Sequence, residues 1–170
     1  SAQRSAMKLN IGCGRDIRPG FTNIDINPGP GVDVVCDARL LPFPDGSARY
    51  ILASDILEHF SWRETKNVLK GWTRLLRDGG LLELRVPSLE GLFKLYLVRP
   101  RGWRVEDGPG VDPVIERLFG GQEYPGNTHL TTFDSRSLEE LLQEDYRILE
   151  IGPDGNDISN LRVVARRVVK

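Results

Sequence analysis

Apolar and polar residues alternate in short, closely spaced runs through the first half of the chain. Residues 7–11, 21–26, 32–36, 50–54 and 81–86 place apolar side chains at every second position, the period of a β-strand. Between 61 and 80 the period changes. Trp62, Val68, Leu69, Trp72, Leu75 and Leu76 follow helical spacing, behind a Ser61-x-x-Glu64 capping box and ahead of a stop at Asp78-Gly79-Gly80. A second helix is expected from Asp134 or Ser135, with Phe133 stapled to Leu138 and with Leu141 and Leu142 extending the apolar stripe. Strands at 147–151 and 161–168 then close the chain.

Strands interleaved with helices predict an α/β fold with a mostly parallel sheet, because parallel neighbours need crossovers; the last two strands form an antiparallel edge. Residues 1–170 read as one domain. From Arg99 to Thr128 ten of thirty residues are Gly or Pro, with one short helical stretch at 113–119, which predicts an irregular insertion. The alternation also predicts an asymmetric sheet. Lys8, Asn10, Asn23, Asp25, Glu83, Arg85, Arg162 and Arg166 interleave with Leu9, Ile11, Ile24, Ile26, Leu82, Leu84, Leu161 and Val163, so one face is apolar and the other largely polar. The connections 15–20 and 27–31 are too short and too rich in Gly and Pro for crossover helices. Helices are therefore expected mainly on the apolar face. The other face is left to water, to the insertion or to a second subunit, so a homodimer or partner complex through it stands beside a solvated surface.

Composition narrows the function. The chain has 170 residues, 39% hydrophobic and 28% charged, enough for a full apolar core. Its 23 basic and 24 acidic residues give a net charge of −1, which argues against strong nucleic-acid binding or attachment to an anionic membrane. No apolar run approaches the roughly 18 residues a membrane helix needs, and the stretch before Met7 is too short and polar for a signal peptide. The two cysteines, Cys13 and Cys36, have neither metal spacing nor disulfide partners and read as small buried residues, which makes a cytoplasmic location the simplest expectation. No metal site is expected from ligand spacing.

The sharpest chemical feature is Asn10-Ile11-Gly12-Cys13-Gly14-Arg15-Asp16 directly after the first strand, followed by Asp25 at the end of the second and Asp37-Ala38 after the third. Glycines let a ligand approach the backbone, and an acidic strand end accepts from both ribose hydroxyls. A nicotinamide dinucleotide fits poorly. Its fingerprint wants a helix N-terminus for the pyrophosphate and an acidic residue about 20 positions on, and the short stretch from Gly14 to Asp25 has no room for that helix.

With these residues in order, the sequence resembles the class I S-adenosylmethionine-dependent methyltransferases, specifically the small bacterial type-11-like members. The likeness runs through LNIGCG, NIDI, VVCDARLLPFPDGS and ILASDILEHF and covers most of the chain. It implies a Rossmann-like sheet and S-adenosylmethionine as cofactor. Gly12, Cys13 and Gly14 then wrap the methionine end and ribose, with Asn10 beneath them. Asp25 holds the ribose hydroxyls with Ile26 beside it, Asp37 and Ala38 contact the adenine, and Ser54 lies by the amino acid portion. Two positions depart from the common pattern: Asn10 replaces an acidic residue, and Asp16 stands where a third glycine is common. Arg15 or Arg18 either meets the methionine carboxylate or is solvated.

Methyl transfer from a sulfonium is an in-line displacement on an activated carbon, so the protein mainly supplies alignment and exclusion of water. A hydroxyl acceptor also needs a group to take its proton, and the chain has only two histidines, His59 and His129. His59 is a candidate base or a helix-entry residue. His129 is a candidate base, a substrate contact or a structural loop residue. Asp55 and Glu58 either orient the acceptor or face a helix dipole. Gln122 and Tyr124 belong to a segment resembling the family's substrate side; Tyr124 and Trp103 are candidates for stacking on a substrate ring. By resemblance the acceptor is a small-molecule hydroxyl or amine, such as a sugar or secondary metabolite. The alternatives are a methyltransferase of a protein or RNA side group, and a catalytically silent cofactor-binding scaffold.

Overall fold

The computed structural model describes residues 6–104 and 110–169, so residues 105–109 of the expected insertion lie outside the described part. Seven strands form one sheet: β1 (Met7–Ile11), β2 (Thr22–Asp25), β3 (Val34–Val35), β4 (Ala48–Ser54), β5 (Leu76–Pro87), β6 (Tyr146–Asp154) and β7 (Asp157–Arg167). Their order is β3-β2-β1-β4-β5-β7-β6, parallel from β3 to β5 and antiparallel where β7 meets β5 and β6. The helices are α1 (Thr65–Leu75), α2 (Leu89–Val98), α3 (Pro113–Phe119) and α4 (Ser135–Leu142).

The register explains the alternation in the sequence. Leu9, Ile51, Leu82 and Ala165 pair across the sheet in one row and Ile11, Ala53, Leu84 and Val163 in another. Both rows are buried in the core cluster, against Val68, Leu69, Trp72 and Leu75 of α1 and Leu138 and Leu142 of α4. Trp72 is fully buried and donates its indole N–H to the Ala38 carbonyl at 2.8 Å, which ties α1 to the loop after β3. α4 carries the cleanest start, a capping box in which Asp134 and Ser137 satisfy each other's backbone N–H groups.

The intervening rows face the other way, outside that core cluster. Asn10, Leu52, Glu83 and Val164 are aligned and buried. Glu83 accepts from Arg85 at 2.9 Å, from Arg162 at 2.8 Å and from the Tyr50 hydroxyl; Arg162 also pairs with Glu150 and Arg85 with Asp154. Burial alone would raise the Glu83 carboxyl, but the bonds from Arg162, Tyr50 and Arg85 outweigh it and hold it at about 2.

Three local expectations are corrected. The Ser61 box closes a turn ahead of the helix, with Glu64 accepting from the Ser61 amide at 3.3 Å, and α1 itself begins at Thr65. Trp62 therefore lies outside the helical stripe, 63% exposed, under the Arg63 guanidinium. Asp78-Gly79-Gly80 does not separate helix from strand; it is a bulge inside β5, which follows α1 directly. The whole of α2 went unpredicted. Ser88 caps it by accepting from Gly91 N, and Gly91 lies so close to the Ile158 carbonyl that no Cβ fits there. By contrast the helix expected at 113–119 is present, started by Asp112 and Pro113.

Candidate functional site

A crevice of about 620 Å³ opens at the carboxyl ends of the parallel strands, where ligands of such sheets bind. Its floor is built by the turns after β1, β2 and β3. Gly12 follows β1 at a φ of 67°, and a Cβ there would run into the Ile56 side chain, so only glycine fits. The Asp25 carboxylate ends β2, fixed by Gly14 N at 2.8 Å on one oxygen and Asn27 N at 2.9 Å on the other. Each oxygen keeps capacity to accept a further hydrogen bond, and Asp25 lines the crevice. Asp37 is held by the Arg39 amide at 2.8 Å, and Ala38 and Cys36 lie beside it.

The opposite wall comes from the segment after β4 and from the insertion. Asp55, at a φ of 53°, pairs with Arg117 of α3 at 2.6 Å, and Arg117 also donates to Asn160 of β7. Leu57–His59 form a 3-10 turn, and the Glu58 carbonyl accepts from Leu130 N at 2.8 Å, which sets His129 beside His59 with ring centroids 4.8 Å apart. A second cavity of about 470 Å³ adjoins the crevice and shares Arg117, Asn127 and His129 with it; Leu92, Leu95, Trp103 and Val114 supply its apolar wall.

Glu58 is fully buried, and neither of its carboxyl oxygens has a hydrogen-bond partner among the described residues. Burial, reinforced by the negative charge of Asp55, pushes its carboxyl up to about 8. Burial and the neighbouring His59 push the His129 imidazole down from its usual range. Each imidazole has Nδ1 against a backbone carbonyl, Thr128 O at 3.2 Å for His59 and Arg117 O at 2.9 Å for His129. Donation to those carbonyls leaves both Nε2 atoms as acceptors.

The fold thus gathers Gly12, Gly14, Asp25, Ile26, Asp37, Ala38, Asp55, His59, Tyr124 and His129 around one crevice. It does not bring Asn10, Cys13, Ser54 or Gln122 to it. Asn10 points to the polar side of the sheet and spends its amide on Asp16 O and Asn23 Oδ1. Cys13 turns inward and is buried, so the thiol on the crevice is that of Cys36. Ser54 lies in the polar row with Arg85. Gln122 donates back to Phe119 O. Arg15 and Arg18 line neither cavity, and Arg18 is engaged by Asp16 at 2.7 Å. Sequence reasoning missed Arg117 of α3 and Asn127 of the following loop, neither of which belongs to a motif, although their origin in a Gly-rich insertion marked the region.

The family model of a methyltransferase domain matches residues 9–84, which span the glycine turn, both acidic strand ends and the start of the Glu58-His59 wall. A Burkholderia thailandensis 1,6-didemethyltoxoflavin-N1-methyltransferase, solved with its substrate and S-adenosylhomocysteine bound, superposes with a TM-score of 0.61 at 19% identity, over 96% of this chain and 72% of that one. The matched segment is that of a methyltransferase domain, and the chain as a whole shares the fold of that structure. Two further structures share the methyltransferase fold. The PH0226 protein of Pyrococcus horikoshii has a TM-score of 0.64 at 19% identity, over 95% of this chain and 81% of that one. A methyltransferase solved in complex with the Trm112 activator of Haloferax volcanii has a TM-score of 0.64 at 13% identity, over 97% and 83%. Among curated proteins none matches the sequence.

The crevice suits an adenosyl cofactor in shape and chemistry. A floor of left-handed glycine backbone, a fixed carboxylate with free lone pairs for two vicinal hydroxyls, and a volume within the ~300–1,000 Å³ usual for small organic ligands all suit an adenosyl sulfonium. No helix among the described residues is long and apolar enough to cross a membrane.

Proposed function

We propose that this methyltransferase methylates a hydroxyl or amine of a small molecule, a sugar or secondary metabolite, held in the second cavity. The carrying observation is that two cavities meet at Arg117, Asn127 and His129: the glycine-floored one suits the cofactor, and the one walled by Leu92, Leu95, Val114 and Trp103 suits an acceptor with a ring or apolar body. A partly apolar chamber of about 470 Å³ favours a small acceptor over a polymer, and the net charge of −1 offers no attraction to RNA.

In this reading Asp25 accepts from both ribose hydroxyls, Asp37 and the Ala38 backbone border the adenine, and exposed Ile26 covers it. Gly12 and Gly14 let the methionine arm lie against the main chain. Bound S-adenosylmethionine supplies a methyl carbon already activated on sulfur. The protein's own work is positional: Arg117 and Asp55 hold the wall, Tyr124 and the Pro125-Gly126 turn exclude water, and His129 with His59 faces the reacting oxygen or nitrogen through Nε2.

The test is a screen of sugars, amines and phenols that reads release of S-adenosylhomocysteine, repeated with Trp103→Ala. Turnover on a small acceptor whose KM rises in the variant is the expected result. Turnover confined to protein or RNA substrates overturns the proposal.

A further inference from the structure

We propose that Glu58, His59 and His129 form a binding site for a divalent first-row cation of Zn2+ type, with an open coordination position facing the crevice. One ligand atom from each residue lies within 4.8 Å of the other two, and His129 Nε2 stands 3.9 Å from Glu58 Oε1. Ligands around a tetrahedral Zn2+ at about 2.0–2.1 Å stand roughly 3.3 Å apart, so side-chain rotations of roughly 1 Å complete the set.

Two independent features point to a cation. A buried carboxyl group whose two oxygens have no hydrogen-bond partner among the described residues is costly. The histidines are prepared in the way metal-binding histidines are: Nδ1–H is engaged by a backbone carbonyl on both rings, which fixes the tautomer and ring plane and leaves Nε2 as the lone-pair donor. The Arg117 guanidinium does not oppose the ion, because it is engaged by Asp55 and Asn160. Two imidazoles and one carboxylate suit Zn2+ and its first-row neighbours better than Mg2+ or Ca2+, which prefer all-oxygen shells.

The consequence for catalysis rests on the acceptor-side reading above. Three protein ligands leave a fourth position, and both histidines line the crevice. An acceptor hydroxyl bound there gives its proton to water. Its oxygen pair then forms the new C–O bond while the C–S bond breaks with its electrons left on sulfur, yielding a neutral thioether. The histidines then act through the ion rather than as proton acceptors.

Titration of the metal-stripped full chain with Zn2+ alone, and with Co2+ followed by visible absorption, tests the site. One equivalent should bind, with Co2+ giving the intense bands of a tetrahedral site. Glu58→Gln, His59→Asn and His129→Asn should each weaken binding by at least about 100-fold. S-adenosylhomocysteine titration of the same samples reports that the variants remain folded; His59, half-buried at the surface of the wall, is the substitution least able to disturb the core. Absence of stoichiometric binding overturns the site. So does binding that survives all three substitutions, or that is lost only in Cys13→Ser or Cys36→Ser. If S-adenosylhomocysteine fails to bind the unmodified protein, the cofactor reading falls, and the metal titration still decides the ion site by itself.

Discussion

At the scale of single residues, the floor of the crevice depends on a few groups with no spare geometry. Asp25 carries the firmest prediction. On the proposed reading, Asp25→Ala leaves two ribose hydroxyls, and with them the Gly14 and Asn27 amides, without their acceptor, so affinity for S-adenosylhomocysteine should drop by about 1–3 kcal/mol in calorimetry; an unchanged affinity would place the ribose elsewhere. His129 should separate binding from chemistry. His129→Asn is expected to lower turnover by about 10²–10⁴-fold while cofactor affinity stays near that of the unmodified protein. The floor was legible in the sequence because glycine and aspartate at strand ends have few other uses. The position of Asn10 was not, because whether a polar residue in a strand faces ligand or neighbour depends on partners such as Asn23, contributed by another strand.

Elements were readable where their apolar residues gather on one stripe. α1 and α4 do so, and each was found within a few residues. α2 spreads Leu89, Leu92, Phe93, Leu95, Tyr96, Leu97 and Val98 around its circumference, with Phe93, Leu97 and Val98 exposed, so no helical period stands out; only the Ser88 cap and the later Gly91 contact with β7 define it. The shape of the insertion was illegible because side-chain pairs distant in sequence hold it. Arg117 bridges Asp55 and Asn160, and its carbonyl receives His129. Arg117→Ala should therefore speed proteolytic cleavage within 99–128 several-fold with little change in the melting of the sheet, since such ties contribute locally. Mass spectrometry of the fragments locates the cuts. S-adenosylhomocysteine should slow them in the unmodified protein, and equal protection with and without it would mean the segment is packed independently of the ligand.

For the whole molecule, the asymmetric sheet leaves one face held by ion pairs, and that face sets the response to acid. The Glu83 carboxyl titrates near 2 in the fold against about 4.5 in an unfolded chain, so the stability it contributes is complete above about 4.5 and is lost as pH falls towards 2. The contribution is about 3 kcal/mol. Urea denaturation between pH 2 and 7 should show that slope, and Glu83→Gln should flatten it; a parallel slope in the variant would assign acid sensitivity to other carboxyls. The missing crossover helices also shape the route by which the chain folds. Leu9 pairs with Thr22 only thirteen residues on and Ile24 with Val34 only ten on, whereas Leu82 must find Ala165 eighty-three residues away. Closing the longer loop costs about 1.6 kcal/mol more in chain entropy. The three amino-terminal strands accordingly form a parallel ladder of unusually low contact order that can assemble before the antiparallel edge arrives. Ile24→Val should slow refolding in stopped-flow measurements, while Val163→Ala should chiefly speed unfolding. The half of the chain that carries Asp25 would then be in place while the rest of the sheet is still being recruited.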